Sequence, residues 1–281
     1  MKLLVKYWPI LIIISTVLIF FRPFLLQGRL PIPSDTIVGL YHPFRDQYAD
    51  RYPNGIPFKN FLITDPVRQL YPWRYLSVNL MKKGEIPLWN PYTFGGTSLL
   101  GNHQSAPFYP LNIILFLLPF SLGWSVLILL QQILASIFMY LYMRNLKLGK
   151  LPALIGGLSF AFSGFFIAWL EWGTGGHVGL WLPLILLSID KVFYSKKYLP
   201  WSAIFVFSLI ASFFAGHLQT FFYLFIVSIA YFFVRWLQFG RKAYVLFLFI
   251  ILNSLFIILT AIQWIPMFQF IMESARNLDQ G

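Results

Sequence analysis

The sequence has no cysteine and few charged residues. None of its 281 residues is cysteine, which excludes disulfide bridges, a cysteine-ligated zinc site and a thiol nucleophile. Only 11% of the residues are charged, whereas 58% are hydrophobic and 20% are aromatic. Because the mean hydropathy reaches +0.71 and soluble domains carry about 25% charged residues, the composition predicts an integral membrane protein.

Motifs of several soluble enzyme classes are also absent. The chain has no G-x-G-x-x-G motif, no P-loop, no H-E-x-x-H zinc motif and no nucleophile elbow. It also lacks the Asp-x-Asp pair with which nucleotide-sugar enzymes often hold a metal ion. The sequence therefore does not support a cytoplasmic nucleotide donor.

The net charge is +12, from 21 basic and 9 acidic residues. In a soluble protein this excess would suggest a nucleic-acid partner. Here the basic residues fall between apolar runs, as membrane topology requires. We therefore expect membrane lipids, and no nucleic acid, as partners.

Seven apolar runs are predicted to span the membrane. The first, at about 7–26, is long for a signal peptide and lacks a small-x-small cleavage site, which favours an uncleaved anchor. The others are at about 124–143, 151–170, 178–189, 199–216, 218–237 and 243–264. We predict an all-α polytopic membrane protein with a first transmembrane helix (1–26), a large extracytoplasmic loop (27–123) and six further transmembrane helices (124–281) in one membrane domain.

Basic residues occupy alternate short loops, which predicts the orientation. The loops that carry them contain Lys2 and Lys6; Arg144, Lys147 and Lys150; Lys191, Lys196 and Lys197; and Arg235, Arg241 and Lys242. The short loops between them, at 171–177 and 216–219, contain no lysine or arginine. Since cytoplasmic loops retain basic residues, we expect a multi-pass protein of the cell membrane with a cytoplasmic amino terminus. Of the acidic residues, only Asp190 then lies on the cytoplasmic side.

The large loop contains a predicted amphipathic helix from Asp65 to Lys83. Asp65 is suited to the N-cap and Pro66 to the first helical position, with a bend at Pro72. Arg68 and Arg74 fall away from its apolar side, where they would suit a lipid phosphate at the outer leaflet. The alternative is a solvated interfacial helix that Asp65 merely caps. The apolar piece at 111–122 is too short to span and is predicted to be interfacial or re-entrant.

Asp35 follows two prolines shortly after the first span, so its carboxylate should lie close to the membrane surface. That position suits a general base, although a turn-forming aspartate is a common alternative. Further along, the aromatic segment 84–110 has neither helical nor strand periodicity and should be a fixed loop. Its candidate sugar-stacking rings are Trp89, Tyr92 and Phe94, although packing of the loop on the bundle would use the same rings. The side chains that could bind sugar hydroxyls are Asn90, Asn102, His103 and Gln104.

Within the predicted spans the polar residues are few. Gln131, Gln132 and Asn253 should form interhelical hydrogen bonds. Gly157, Ala161, Gly164 and Ala168 form a small-residue seam that favours close helix packing. No span has an ionisable residue at its centre, which argues against a coupled transporter.

Several motifs together resemble the YfhO-like bacterial membrane proteins, within the GT-C class of polytopic glycosyltransferases. They are TDPVRQLYPWR (64–74), GEIPLWNPYTFGGTSLLGNHQSAPFYP (84–110), AGHLQ (215–219) and ESAR (273–276). The resemblance implies an extracytoplasmic site that transfers sugar from a polyprenyl-phosphate donor to a cell-envelope polymer or glycolipid. Since family members are longer, it also implies that this chain is an amino-terminal part.

In GT-C enzymes an acidic residue of the first outer loop acts as base or binds a divalent cation. Asp35 and Asp65 match by position, so either is a candidate base or ligand for Mg²⁺ or Mn²⁺. Arg68, Arg74 and His103 would then neutralise the leaving phosphate. The alternatives are a lipid or polymer transporter and a non-catalytic envelope assembly factor.

Overall fold

A computed structural model describes residues 2–55 and 63–274, with side chains described from residue 7 onward. Its helices are α1 (Lys2–Phe20), α2 (Arg22–Gln27), α3 (Asp35–Leu40), α4 (Phe44–Gln47), α5 (Tyr71–Lys82), α6 (Ile113–Leu117), α7 (Phe120–Asn145), α8 (Lys150–Ala161), α9 (Gly164–Ala168), α10 (Gly175–Gly179), α11 (Leu182–Tyr194), α12 (Tyr198–Phe214), α13 (Leu218–Gln238) and α14 (Ala243–Met272). A π-helical turn covers Pro66–Leu70, and 3₁₀ turns cover His103–Ser105, Pro110–Asn112 and Leu170–Trp172.

Strand structure in the described residues is limited to one short hairpin. Strand β1 (Trp89–Asn90) pairs antiparallel with β2 (Thr97–Ser98), and Trp89 lies opposite Ser98. The predicted all-α polytopic fold is therefore confirmed.

Five helical stretches in the described residues are long and apolar enough to cross a membrane. They are Phe120–Asn145, Lys150–Ala168, Gly175–Tyr194, Leu218–Gln238 and Ala243–Met272. Two shorter apolar helices, Tyr7–Phe20 and Tyr198–Phe214, coincide with the first and fifth predicted spans. All seven predicted runs thus form helices, and α12, with 17 residues, is short for a span of about 30 Å.

Three of the predicted spans are interrupted helices, and the first divides at Phe21 into α1 and α2. The third divides into α8 and α9 because Ser163 adopts an extended conformation, with φ −64° and ψ 160°. The fourth begins earlier than predicted, at Gly175, and divides into α10 and α11. Pro183 lies in the first turn of α11, where its missing N–H leaves no hydrogen bond unmade, so it starts a helix and does not kink one.

Close packing of α7 on α8 depends on part of the small-residue seam. A Cβ atom on Gly157 would lie 2.7 Å from the carbonyl oxygen of Ser136, so only glycine fits this contact. Ala161 is fully buried as well. By contrast, a Cβ on Gly164 would meet nothing within 4 Å and Ala168 is exposed, so the seam ends where α8 ends.

The apolar core of the described residues consists of three clusters, and α7 contributes to each of them. The largest cluster lies among α10 to α14, where the rings of Phe232 and Phe249 stack with centroids 3.7 Å apart. A second cluster joins α1, α5 and α7 through Val17, Val78 and Trp124. Segment 99–101 packs on α14, because Gln263 donates a hydrogen bond to the carbonyl of Leu100. These contacts hold the large loop against the helix bundle.

A buried ion pair joins three helices at one end of the bundle. The fully buried Asp190 of α11 accepts hydrogen bonds from Arg235 of α13, Nε to Oδ1 at 2.7 Å and Nη2 to Oδ2 at 3.0 Å. Asn145 of α7 donates to the same carboxylate at 2.7 Å, and the Tyr231 hydroxyl donates at 2.9 Å. Each carboxylate oxygen therefore has partners, as a buried charge requires.

The predicted interhelical bonds of the intramembrane amides are not found. Gln131 and Gln132 are fully buried, but within the described ranges neither amide has a hydrogen-bond partner. The Gln131 amide instead packs on Gly176, where a Cβ would lie 2.5 Å from it. Asn253 donates to the carbonyl of Phe249 on its own helix at 2.8 Å, so its predicted interhelical role is wrong.

Alternation of basic and non-basic loops predicts which exposed positions face outward. Because the chain has no cysteine, Asp50→Cys and Tyr92→Cys, both at exposed positions, should react with an impermeant thiol reagent in intact cells. Lys147→Cys and Lys196→Cys, equally exposed, should react only after the membrane is permeabilised. Labelling of Lys147→Cys and Lys196→Cys in intact cells would show that the orientation is the reverse of the predicted one.

Replacing Asp190 should destabilise the bundle. Asp190→Asn leaves a largely buried guanidinium without its counter-ion, and such a change costs about 3–5 kcal/mol, measurable as a lower melting temperature in lipid nanodiscs. The control is Asp46→Asn, whose carboxylate pairs with His42 at 2.6 Å on the surface with both side chains mostly exposed; it should cost less than about 1 kcal/mol. Equal shifts for the two variants would contradict the structural role of Asp190.

Candidate functional site

A cavity of about 660 Å³ lies at the carboxyl end of α1. Three phenylalanines of α1, α2 and the turn between them form an apolar wall, and Arg29, Asp35 and Glu171 supply charged groups. We call it the Asp35 cavity. It is amphiphilic, because hydrocarbon-like surface and ionisable side chains face one space.

Local structure explains why Asp35 lies beside the end of α1. Helix α2 ends at Gly28, whose φ of 66° reverses the chain. Two tight turns follow, in which the Ile32 N–H donates to the Leu30 carbonyl at 2.9 Å and the Ser34 N–H donates to the Ile32 carbonyl at 2.8 Å. The Thr36 hydroxyl donates to the Pro33 carbonyl at 2.7 Å, which fixes the turn into α3. Asp35 is the first residue of α3, is half-buried and lines the cavity at the carboxyl end of α1.

Glu171 is a cavity residue that the sequence analysis did not select. It lies in the 3₁₀ turn Leu170–Trp172. The following Gly173 has φ +66°, and a Cβ there would lie 2.9 Å from the Trp124 ring, so the turn requires glycine. The only signal in the sequence is an acidic residue in a short loop free of lysine and arginine.

Arg74 holds this turn from inside the protein. Its guanidinium donates from Nη1 to the Gly173 carbonyl at 3.0 Å and from Nη2 to the Ala215 carbonyl at 3.5 Å. It lies over the Trp124 ring at 5.5 Å and has no carboxylate partner in the described part of the chain. Burial lowers the pKa of Arg74 to about 10, so the group stays charged at pH 7.

The predictions for the segment around Arg74 need correction. Arg74 is 1% exposed and does not lie on a free cationic side of the helix. The helix begins with the π-helical turn, and α5 continues from Tyr71 with Pro72 in its first turn. Asp65 occupies the N-cap position without a side-chain capping bond, because its backbone is already helical with φ −60° and ψ −36°.

Within residues 102–104, His103 packs inward, whereas Asn102 and Gln104 are half-buried. The Asn102 side chain accepts from the Gln104 N–H at 3.2 Å and so caps its own 3₁₀ turn. His103 is 7% exposed, with its ring 4.7 Å from that of Phe213. Burial lowers the pKa of His103 to about 4. Its ring is therefore neutral at pH 7, which does not suit the predicted neutralisation of a phosphate.

A second buried polar contact joins the large loop to α10. The Tyr109 hydroxyl lies 3.0 Å from Nδ1 of His177, and both side chains are buried. Burial raises the pKa of Tyr109, so its hydroxyl keeps its hydrogen. Together with Arg74, this pair fixes the loop against the ends of α7, α10 and α12.

A separate cleft of about 490 Å³ separates α5 from the β1–β2 hairpin. We call it the hairpin cleft; Arg68, Asn79 and Lys83 line one side, and Asn90, Tyr92 and Thr93 line the other. Three predicted substrate residues, Arg68, Asn90 and Tyr92, therefore meet in one place. The cations make this cleft attractive to an anionic group.

Both functional groups of the Asn90 amide support the hairpin itself. It donates to the Thr93 hydroxyl at 3.0 Å and accepts from the Tyr92 N–H at 3.0 Å. Trp89 packs on Gly96, where a Cβ would lie 2.4 Å from the ring, but remains 55% exposed. Tyr92 is 84% exposed. The aromatic rings predicted to stack on sugar are thus accessible, whereas Asn90 positions them.

The structure places the two candidate aspartates differently. Asp35 lines its cavity, and Ile63, two residues before Asp65, lines the same cavity, whereas Asp65 itself does not. No group of three histidine or acidic side chains that could hold a metal occurs among the described residues. Asp35 and Glu171 line the same cavity, and Mg²⁺ is often held by one or two carboxylates together with substrate phosphate.

Replacement of Arg74 should loosen the Glu171 turn. In Arg74→Lys the ammonium cannot reach both the Gly173 and Ala215 carbonyls in the same fork geometry, and a buried carbonyl without a donor costs about 1–3 kcal/mol. We expect a lower melting temperature and faster amide hydrogen exchange around residues 171–176. Arg68→Lys, a matched change at an exposed position, should alter neither. If amide hydrogen exchange around residues 171–176 is unchanged in Arg74→Lys, Arg74 does not anchor the Glu171 turn.

Comparison with known proteins identifies one family. The sequence profile described as "Bacterial membrane protein YfhO" matches residues 100–280. Neither the curated proteins nor the solved structures include a match to this chain. The match covers α6 to α14 as well as the segment that carries Asn102, His103 and Gln104. Since it extends over more than half of the sequence, the chain belongs to the YfhO family of bacterial membrane proteins.

Proposed function

We propose that this protein is a membrane glycosyltransferase that moves a sugar from a polyprenyl-phosphate donor to a cell-envelope polymer or glycolipid outside the cytoplasm. The observation that carries the proposal is the Asp35 cavity, in which a phenylalanine wall faces two carboxylates and an arginine. An amphiphilic cavity at the end of a transmembrane helix suits a substrate with a hydrocarbon chain and a polar head group.

The donor would lie along the wall formed by Phe20, Phe21 and Phe24. Its phosphate would lie near Arg29, since guanidinium groups bind phosphate through paired hydrogen bonds. The sugar would then lie on the polar side, near Asp35 and Glu171. A lipid-linked donor also fits the predicted orientation, because nucleotide sugars are made in the cytoplasm and do not cross the membrane.

The chemistry requires one base and stabilisation of one leaving group. Asp35 or Glu171 takes the proton of an acceptor hydroxyl, and the acceptor oxygen forms a bond to the anomeric carbon. The bond between that carbon and the phosphate oxygen breaks, and the polyprenyl phosphate leaves with the electron pair. Direct displacement inverts the anomeric centre. Arg29 offsets the charge that develops on the phosphate.

A divalent cation would fit beside these groups. Asp35 and Glu171 would hold it, and it would supply additional positive charge opposite the leaving phosphate. The hairpin cleft, with its exposed Trp89 and Tyr92 and its cations Arg68 and Lys83, would be placed to contact the acceptor or the distal part of the donor. We also propose that the chain is organised as a first transmembrane helix, an extracytoplasmic loop and a region of six transmembrane helices.

Carboxylate variants test the proposal. With purified full-length protein and a suitable acceptor, we expect release of polyprenyl phosphate from the lipid-linked sugar without any nucleotide sugar. Asp35→Asn or Glu171→Gln should lower the rate about 10²–10⁴-fold, whichever is the base. Asp50→Asn, an exposed carboxylate of the same loop, should keep the wild-type rate.

Two results would oppose the proposal. Full activity in both Asp35→Asn and Glu171→Gln would exclude this cavity as the reaction centre. Movement of the labelled lipid between leaflets of a vesicle, with its glycosyl bond intact although envelope acceptors are present, would indicate a transporter instead.

A further inference from the structure

We propose that a groove between α9, α11 and α13 binds a membrane lipid whose head group is uncharged and carries hydroxyls, as in a neutral glycolipid. The groove has a volume of about 490 Å³, and we call it the His217 groove. The AGHLQ motif contributes His217 and Gln219 to it. The proposal concerns binding only and does not depend on the proposed transfer reaction.

The groove lies on helices that are long and apolar enough to span the membrane. Its walls come from Lys150–Ala168, Gly175–Tyr194 and Leu218–Gln238. Along α13 the lining residues Thr220, Leu224 and Val227 recur at helical spacing, so the groove extends about 10 Å along this helix. The facing wall includes Phe165, Phe166 and Leu182. A surface of this kind in a bilayer is covered by a lipid chain.

Apart from Ser163 at the break between α8 and α9 and the Trp169 ring, the polar side chains of the lining belong to the cap and the first two turns of α13. Nδ1 of His217 accepts the Thr220 backbone N–H at 3.2 Å and so caps α13. Because Nδ1 is the acceptor, the neutral ring carries its hydrogen on Nε2. Nε2 is then a donor suited to a head-group oxygen, beside the Trp169 ring, whose centroid lies 4.6 Å from that of His217.

Gln219 and Tyr223 add complementary groups. The Gln219 amide donates to the Tyr223 hydroxyl oxygen at 3.2 Å. The tyrosine O–H hydrogen and the Gln219 carbonyl oxygen then remain to donate and to accept. A mixture of donors and acceptors at the end of an apolar groove matches hydroxyl groups, which do both.

The charge of the lining selects against a phospholipid. Among the described residues that line the groove there is no lysine, arginine, aspartate or glutamate. Burial lowers the pKa of His217, so its ring is neutral at pH 7. A phosphate in this apolar place would lack a counter-ion, which is costly. The Asp35 cavity and the hairpin cleft both contain cations, whereas the His217 groove combines an uncharged lining with hydrogen-bonding side chains, which suits an uncharged head group.

Lipid binding to the full-length protein in nanodiscs tests the inference. The probes are a monohexosyl diacylglycerol and phosphatidylglycerol with the same acyl chains, and retained lipid is counted by native mass spectrometry. We expect the wild type to prefer the neutral glycolipid about tenfold, which is the effect of one or two hydrogen bonds. Equal or stronger retention of phosphatidylglycerol would overturn the proposal.

Two variants locate the binding. Val227→Trp should fill the groove and abolish the preference, whereas Val234→Trp, seven residues along the same helix with 51% exposure against 47%, should retain it. His217→Asn keeps an N-cap acceptor but removes Nε2, and it should reduce the preference several-fold with little change in melting temperature. If Val227→Trp fails to fold, the lipid preference of His217→Asn alone tests the proposal. An unchanged preference in His217→Asn would show that the His217 groove is not the binding site. If the protein binds the neutral glycolipid in this groove but shows no transfer activity, the proposed reaction is contradicted and the proposed lipid binding is not.

Discussion

The arrangement of the loops depends on a cation that has no counter-ion within the described residues. The guanidinium of Arg74 lies in the interior of the protein, where an unsolvated charge is costly unless acceptors surround it. It donates hydrogen bonds to the carbonyls of Gly173 and Ala215, which belong to two turns far apart in sequence. One of these turns places Glu171 in the Asp35 cavity, and the other leads into His217. A single side chain thereby sets the positions of groups in two separate cavities.

Asp190 is a second buried charge, and it is compensated differently from Arg74. Its carboxylate is satisfied by Arg235, Asn145 and Tyr231, so the charge is paired as well as hydrogen-bonded. This network joins α7, α11 and α13, whose apolar surfaces alone would allow sliding along one another. The network is specific in geometry because the arginine fork binds both carboxylate oxygens. Helices of the bundle are thus held by polar contacts at this end and by the Arg74 contacts among the loops.

The cavities differ in the charge that they present, and this difference suggests a division of roles. The Asp35 cavity combines carboxylates with Arg29, as acid–base chemistry beside a phosphate would require. The hairpin cleft presents cations and exposed aromatic rings, which suits anionic or sugar-bearing groups. The His217 groove has apolar walls, and its hydrogen-bonding side chains are all uncharged. The residues that match the YfhO family include the whole lining of the His217 groove.

The sequence by itself determined the membrane class, the helical character of all seven apolar runs and the membership of the family, because hydropathy and motif order are local properties of the chain. It also selected Arg68, Asn90 and Tyr92, which do meet in one cleft. It misplaced Arg74 and His103, since polar residues in a loop are expected to face water and only tertiary contacts can bury them. Glu171 was not selected because its relation to Asp35 joins residues far apart in the chain. Only the packing of the Leu170–Trp172 turn against the large loop decides that these two carboxylates share a cavity.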